Sequence, residues 1–369
     1  MSISARLAAV RRALGATEPA VDAVLVTDAD NRRYLSGFTG SAGQLLASKQ
    51  TAVLLTDFRY VEQAGAQAPD LEVVKTEGQA WPFVAEQVAR LGVHALGFES
   101  ESFSVDQYVR LEAALHVKAP RVTLVPLRGL VESVRQTKDP AELEQIRRAV
   151  LIGDRAIEAV TAALLPGVTE RQVAWRLEVE MRERGADALS FPIIVASGPN
   201  GAMPHHRPSD RAIRVGEPII IDMGCKVGGY CSDLTRTVVL GEPDPPFWEI
   251  FHLVLRAQQT CENGLRAGMT GNVGDALARD VIAQAGHREQ FGHGTGHGVG
   301  LAIHEDPRLT YTAAGEAVVH EGAVLTVEPG VYLSGWGGVR IEDMVVVGID
   351  RCHILTTAHK APIIQLQAT

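Results

Sequence analysis

The sequence predicts an α+β protein in which a smaller α/β domain, residues 1–132, precedes a larger domain, residues 133–369. Three observations predict it. Short apolar runs alternate with helical spacings over the first third of the chain. The chain then turns polar at GLVESVRQTKDP, residues 129–140, which places a boundary between about residues 128 and 138. Beyond it, long helices precede strands joined by glycine-bearing turns, a pattern of hairpins rather than of a doubly wound parallel sheet.

In the first domain, residues 21–27 (VDAVLVT) and 51–56 (TAVLLT) are apolar and rich in β-branched side chains, as strands require. Residues 73–75 and 95–98 are weaker strand candidates, and 81–90 and 105–115 show helical spacing. In the second domain Asp139-Pro140 opens a long helix running towards Leu165, because aspartate caps a helix and proline suits its first turn. The helix stops at Pro166-Gly167; Thr169 caps the next, over residues 169–184, with Glu170, Arg171 and Gln172 filling its first turn. Two further helices are expected at about residues 247–265 and 273–284.

Composition narrows the classes of function. Lys plus Arg total 35 against 44 Asp plus Glu, a formal charge of −9, which offers no basic footprint for nucleic acid. No run approaches the ~18 apolar residues of a membrane span, and the N-terminus alternates apolar and basic residues instead of carrying the apolar core of a signal peptide. The four cysteines, Cys225, Cys231, Cys261 and Cys352, form no CxxC pair and read as free thiols, so a cytoplasmic protein is expected, without nucleic-acid or membrane partners.

Chemistry concentrates in three segments. IIIDMGCKVGGYCSDLTRTVV, residues 219–239, reads as two apolar strands around a glycine hairpin. Centring its turn between Val227 and Gly228 opposes Asp222 to Asp233, with Cβ atoms about 4.5–5.5 Å apart. Carboxylates that close repel unless a proton or cation lies between them. A lone aspartate in a strand is usually a surface residue or cap; an opposed pair among apolar residues is not. Glu328 (in AVLTVEP) and Glu342 (in GVRIEDMVVV) repeat the pattern around Gly335, while Asp343 points to the other face. The third segment, HGTGHGVGLAIHE (His293–Glu305), has glycine at 292, 294, 296, 298 and 300. It reads as an extended strand with bare backbone on one face and His293, Thr295 and His297 on the other. Four carboxylates and a histidine suit two divalent cations such as Mn²⁺, Mg²⁺ or Fe²⁺ better than a thiolate-rich zinc site would, and imply amide or ester hydrolysis.

At these residues the sequence resembles the methionine aminopeptidase/creatinase ("pita-bread") superfamily, and within it the Xaa-Pro peptidases, prolidase and aminopeptidase P. HGTGHGVGLAIHE looks like their signature, YCSDLTRT, TVEPG and GGVRIED follow the expected order, and NRRYLSGFTGSAG (residues 31–43) with TDFRY (residues 56–60) is similar to the creatinase-like N-terminal domain. The resemblance implies a pita-bread catalytic domain behind that N-terminal domain. It implies that Asp222 binds one metal, His297 and Glu328 the other, and that Asp233 and Glu342 bridge both, with Mn²⁺ the first choice and Co²⁺, Zn²⁺ or Fe²⁺ as alternatives. Glu328 would also act as acid/base, His205 would lie beside the substrate, and His304 would donate to the scissile carbonyl. His293 would line the proline side, Arg340 would hold a ligand carboxylate, Tyr230 would contact the site, and His206 reads as a structural neighbour. The substrate would be a proline-containing di- or oligopeptide and the enzyme a homodimer. The compact two-domain length favours an Xaa-Pro dipeptidase; an Xaa-Pro aminopeptidase is the alternative, and a metal-free amidinohydrolase or a non-catalytic binding protein would be expected to lack ligands of the set.

Overall fold

The computed structural model describes residues 1–366, and its contacts divide the chain into a unit of Met1–Arg135 and a second from Gln136 onward. The first unit is built on one six-stranded mixed sheet in the order Glu72–Thr76, Ala52–Asp57, Gln44–Ser48, Ala23–Val26, Ala95–Glu99, Thr123–Leu127. Gln44–Ser48 runs antiparallel to both neighbours, and the other pairs are parallel. Helices Trp81–Arg90 and Val105–Lys118 bury Val84, Val88, Leu111 and Leu115 against Leu25, Leu46, Val53 and Leu96 of the sheet. Strands Gln44–Ser48 and Thr123–Leu127 escape the sequence reading, since each is short, with polar ends or an internal proline.

The second unit is α+β, as expected. Helix Pro140–Ala162 starts where Asp139 accepts hydrogen bonds from the N–H groups of Ala141 and Glu142, and helix Glu170–Glu183 starts at the Thr169 cap. Both pack on a four-stranded sheet ordered Ile363–Ile364, Leu234–Leu240, Pro218–Met223, Ile194–Ser197, with Ile157, Leu177, Ile219, Ile221 and Val238 in the shared core. Helices Pro246–Gly264 and Gly271–Gln284 cover a five-stranded sheet ordered Glu305–Leu309, Gly296–Gly298, Val324–Val327, Asp343–Val347, Cys352–Ile354, over a core that includes Phe247, Phe251, Ile282, Leu325 and Val345. Among the described residues, no helix is long and apolar enough to cross a membrane.

Two hairpins carry the carboxylates. In the first, Asp222 pairs with Thr235, not with Asp233, and Val227 pairs with Tyr230. The turn therefore centres on Gly228-Gly229 and not between Val227 and Gly228. Both glycines have positive φ, 55° and 85°. A two-residue type I′ turn demands this of its central pair, and so the glycines dictate the register. The shift moves the partner by two residues, so Asp233 stays on the face of Asp222 as its diagonal neighbour. In the second hairpin Val327 pairs with Asp343 and Gly330 with Arg340, so Glu328 and Glu342 oppose each other as predicted. The glycine-rich segment is a strand only over Gly296–Gly298, shorter than expected. A Cβ at Gly296 would lie 2.0 Å from the Thr326 carbonyl oxygen. The bare backbone there serves the close approach of the neighbouring strand.

Candidate metal centre

The two carboxylate hairpins and the glycine-rich segment open onto a cavity of about 510 Å³. Asp222, Asp233, His297, Glu328 and Glu342 line it, together with His205, His206, His293, His304 and Arg340. Donor atoms of Asp233, His297 and Glu342 lie within 4.8 Å of one another. His297 Nε2 is 3.3 Å from Glu328 Oε1 and 3.6 Å from Asp233 Oδ2. Its Nδ1 donates to the Gly298 carbonyl at 3.0 Å, and burial holds the ring's pKa down to about 3. The imidazole is thus neutral with its Nε2 lone pair aimed at two carboxylates, an arrangement of facing lone pairs that only a cation or a proton relieves.

The carboxylates show the same strain. Burial, then the charges of Glu342, Asp222 and Glu328, push Asp233 well above the carboxylate range. Burial and the charges of Glu328 and Asp222 do the same to Glu342. Glu328 is raised by burial to about 7, with Arg340 opposing the rise. Asp222 is raised too: burial outweighs the adjacent Arg340 guanidinium. Asp222 Oδ1 is buried with no hydrogen-bond partner among the described residues, while Oδ2 accepts from Arg340 Nη2 at 2.6 Å. A set of four carboxylates and one neutral imidazole, with one buried carboxylate oxygen left without a hydrogen-bond partner among the described residues, fits hard divalent cations.

Neighbouring hydroxyls aim these groups. Thr235 Oγ1 donates to Glu342 Oε2 at 2.7 Å and accepts from Arg340 Nε at 3.2 Å. Thr326 Oγ1 accepts from the His297 N–H at 3.0 Å and donates to Glu328 Oε1 at 3.2 Å. Tyr332 bridges the arginine to the first histidine: Arg340 Nη1 lies 2.8 Å from its hydroxyl, which lies 2.8 Å from His293 Nε2. Burial and the nearby Arg340 charge hold His293 at about 4, so its ring is neutral and accepts the tyrosine proton. His304 stacks edge-on to His297 with ring centroids 4.4 Å apart, and its pKa is lowered by burial and by Arg308. Behind the glutamate, Arg236 donates to the carbonyl of Glu342 and to Asp343 Oδ1, so Asp343 does face away from the cavity.

One expected contact fails. Tyr230 does not line the cavity; its hydroxyl donates to Glu142 Oε1 at 2.8 Å, on the side of helix Pro140–Ala162. With the turn at Gly228-Gly229, Tyr230 pairs with Val227 in a short hairpin whose third strand is Ala188–Leu189. The tyrosine that reaches the site's residues is Tyr332, which sequence reasoning missed along with Thr235 and Thr326. His206 lines the cavity but its Nε2 is bonded to Glu170 Oε2 at 2.9 Å.

The profile of metallopeptidase family M24 matches residues 144–348, and that of the creatinase/prolidase N-terminal domain matches residues 6–137. The chain belongs to metallopeptidase family M24. The resemblance to Xaa-Pro peptidases of the pita-bread superfamily is thereby borne out. An Xaa-Pro dipeptidase of Pyrococcus horikoshii is 35% identical to this M24 peptidase over 328 residues, covering 89% of this chain and 90% of the relative. The structure of an Xaa-Pro dipeptidase from Bacillus anthracis matches with a TM-score of 0.94 at 41% identity, covering 99% of this chain and 100% of the other. An X-Pro aminopeptidase from Thermotoga maritima matches with a TM-score of 0.85 at 36% identity, covering 94% and 98%.

Proposed function

We propose that this M24 peptidase hydrolyses the bond preceding proline in short peptides, with two divalent cations held by Asp222, Asp233, His297, Glu328 and Glu342. The observation that carries the proposal is the neutral His297 Nε2 facing Glu328 and Asp233 across 3.3 and 3.6 Å, inside a cluster of buried carboxylates. Four ionised carboxylates carry a charge that two divalent cations balance, and Asp233 and Glu342 are the pair assigned to bridge them. Mn²⁺ is the first choice for so oxygen-rich a set, with Co²⁺, Zn²⁺ and Fe²⁺ as alternatives. Such cations, when bound, lower the pKa of a water and polarise the scissile carbonyl.

The chain's own groups supply the rest. Glu328 is the carboxylate assigned to take a proton from the attacking water and pass it to the leaving proline nitrogen. Neutral His304 presents an N–H donor to the carbonyl oxygen. His293, tied through Tyr332 to Arg340, forms the wall assigned to the pyrrolidine ring, and His205 is assigned to the substrate's flank. Phe191, Pro192, Ile194 and Ile303 give the cavity an apolar wall, and Arg308 supplies a cation for a free terminal carboxylate. That cation, and the names of the Pyrococcus and Bacillus relatives, favour a dipeptidase; the Thermotoga relative keeps the aminopeptidase reading open. A homodimer is carried over from the family resemblance, and a cytoplasmic location accords with four buried free thiols.

The test is hydrolysis of matched Xaa-Pro and Xaa-Pro-Yaa peptides by protein reconstituted with Mn²⁺. Turnover of the dipeptide at least tenfold above the tripeptide is expected. A strong tripeptide preference would move the assignment to the aminopeptidase, and no cleavage of either would overturn the reading.

A further inference from the structure

The wall that carries His205 is an irregular loop. Between strand Ile194–Ser197 and Arg211 the only regular piece is the short 3₁₀ turn Gly198–Ala202, yet the loop supplies Pro204, His205, His206 and Arg207 to the cavity. A loop without ladder partners needs another anchor to hold side chains in place. Beside the bonds from Arg171 N to Ser209 O and from Arg340 Nη1 to Pro204 O, one such anchor is the side chain of Glu170, the first residue of helix Glu170–Glu183, which is fully buried and does not itself line the cavity.

Each oxygen of Glu170 collects one limb of the loop. Oε1 accepts from Ser197 N at 2.8 Å, Ser197 Oγ at 2.8 Å and Asn200 Nδ2 at 2.9 Å. Oε2 accepts from His206 Nε2 at 2.9 Å, Ser209 N at 3.0 Å and Ser209 Oγ at 2.6 Å. The hydroxyl protons are committed to this task, because Ser197 Oγ accepts from Arg211 Nη1 at 2.7 Å and Ser209 Oγ from Arg211 N at 3.2 Å. Burial alone would raise the carboxyl. Hydrogen bonds from Ser209, Ser197, Asn200 and His206 outweigh it and hold the group at about 2. It therefore remains an acceptor-only anion through the working pH range.

We propose that Glu170 is a positioning residue of this peptidase: it clamps both limbs of the 197–209 loop and thereby presents His205 to the substrate, with His206 serving in the clamp. The proposal rests on the reading of His205 as a substrate-side group, and it goes beyond that reading by assigning roles to Glu170, Ser197, Ser209 and His206. Replacing Glu170 by glutamine sets an amide N–H₂ against one limb, where every partner is already a donor.

A double-mutant cycle between Glu170→Gln and His205→Ala tests it, read as kcat/KM on an Xaa-Pro dipeptide with Mn²⁺. Glu170→Gln is expected to lose roughly tenfold or more in the wild-type background, and less than about twofold in the His205→Ala background, with bound metal unchanged. Equal losses in both backgrounds, or loss of metal, would overturn the proposal. Should Glu170→Gln not fold, Ser209→Ala replaces it, with a smaller loss that again vanishes beside His205→Ala. Hydrogen exchange is the readout that does not depend on activity: Glu170→Gln should speed exchange over residues 197–211 and leave the glycine-rich segment unchanged. If the wild-type protein cleaves no Xaa-Pro bond, the functional reading fails and exchange alone decides the clamp; unchanged exchange over 197–211 overturns it.

Discussion

Thr326 lies directly beneath the proposed metal ligands, and replacing it with valine keeps its volume while removing one oxygen. That oxygen serves two ligands at once, as acceptor for the His297 N–H and donor to Glu328 Oε1. Thr326 is fully buried, and the strands approach so closely that a Cβ at Gly296 would lie 2.0 Å from its carbonyl oxygen, which leaves no room there for water. The orphaned N–H should cost about 1–3 kcal/mol of stability. For a folding unit of this size that is a fall in Tm of roughly 2–12 °C. The loss of aim at His297 and Glu328 should weaken metal binding about 10–100-fold, as removal of a hydrogen bond to a ligand typically does. Melting in EDTA reads the first effect, and melting across a Mn²⁺ titration reads the second, because bound metal raises Tm by mass action. A Thr326→Val protein that melts with the wild type in EDTA and takes up Mn²⁺ equally tightly would refute this account of how the ligands are held.

Other perturbations separate the remaining roles. His304→Ala should retain its metal and lose about 2–3 kcal/mol of transition-state stabilisation, close to a hundredfold in kcat, as for one oxyanion donor; an unchanged kcat would remove His304 from the mechanism. Glu170 is held at about 2, below its ordinary value of 4.5. Its contribution to stability is therefore present above that ordinary value and fades as the pH falls through the lowered one. The shift corresponds to no more than about 3 kcal/mol, since solvent beyond the loop screens part of it. The gap in urea midpoint between wild type and Glu170→Gln should therefore narrow, without closing, from pH 6.5 to pH 3, and a constant gap would contradict the assignment. In the metal-free protein Glu328 is raised to about 7 and Asp233 and Glu342 well above the carboxylate range. These groups hold protons that a cation must displace. Calorimetric Mn²⁺ titrations at pH 6 in buffers of different ionisation enthalpy should show net proton release, and affinity should rise with pH through 7. Zero release at pH 6 would mean the carboxylates are already ionised.

How much of this is legible in the sequence follows from how far apart the partners are. The five proposed ligands stand out because carboxylates recur in apolar strands around glycine turns, and histidines recur in a segment too rich in glycine for helix. The register of the first hairpin departs from expectation by two residues because Gly228 and Gly229 both take the central turn positions, where their positive φ values fit. Tyr230 departs from expectation for another reason: its hydroxyl is bonded to Glu142, 88 residues away in sequence. The supporting residues are silent in sequence. Thr235 and Glu342 are 107 residues apart, and Glu170 and Ser209 are 39 apart. A threonine in a strand or a glutamate in a helix's first turn is what local propensity alone would place there. Glu170 is legible only as a first-turn acid; its donors arrive from a loop whose path no periodicity marks. Tyr332 is hidden similarly, in a strand where an aromatic residue needs no further reason.

The central claim is that two divalent ions are held jointly by Asp222, Asp233, His297, Glu328 and Glu342. Anomalous diffraction from crystals soaked in Mn²⁺ addresses it without recourse to activity. Two peaks about 3.5–4 Å apart, with Asp233 and Glu342 between them, are predicted. A single peak, or peaks away from this cavity, would contradict it.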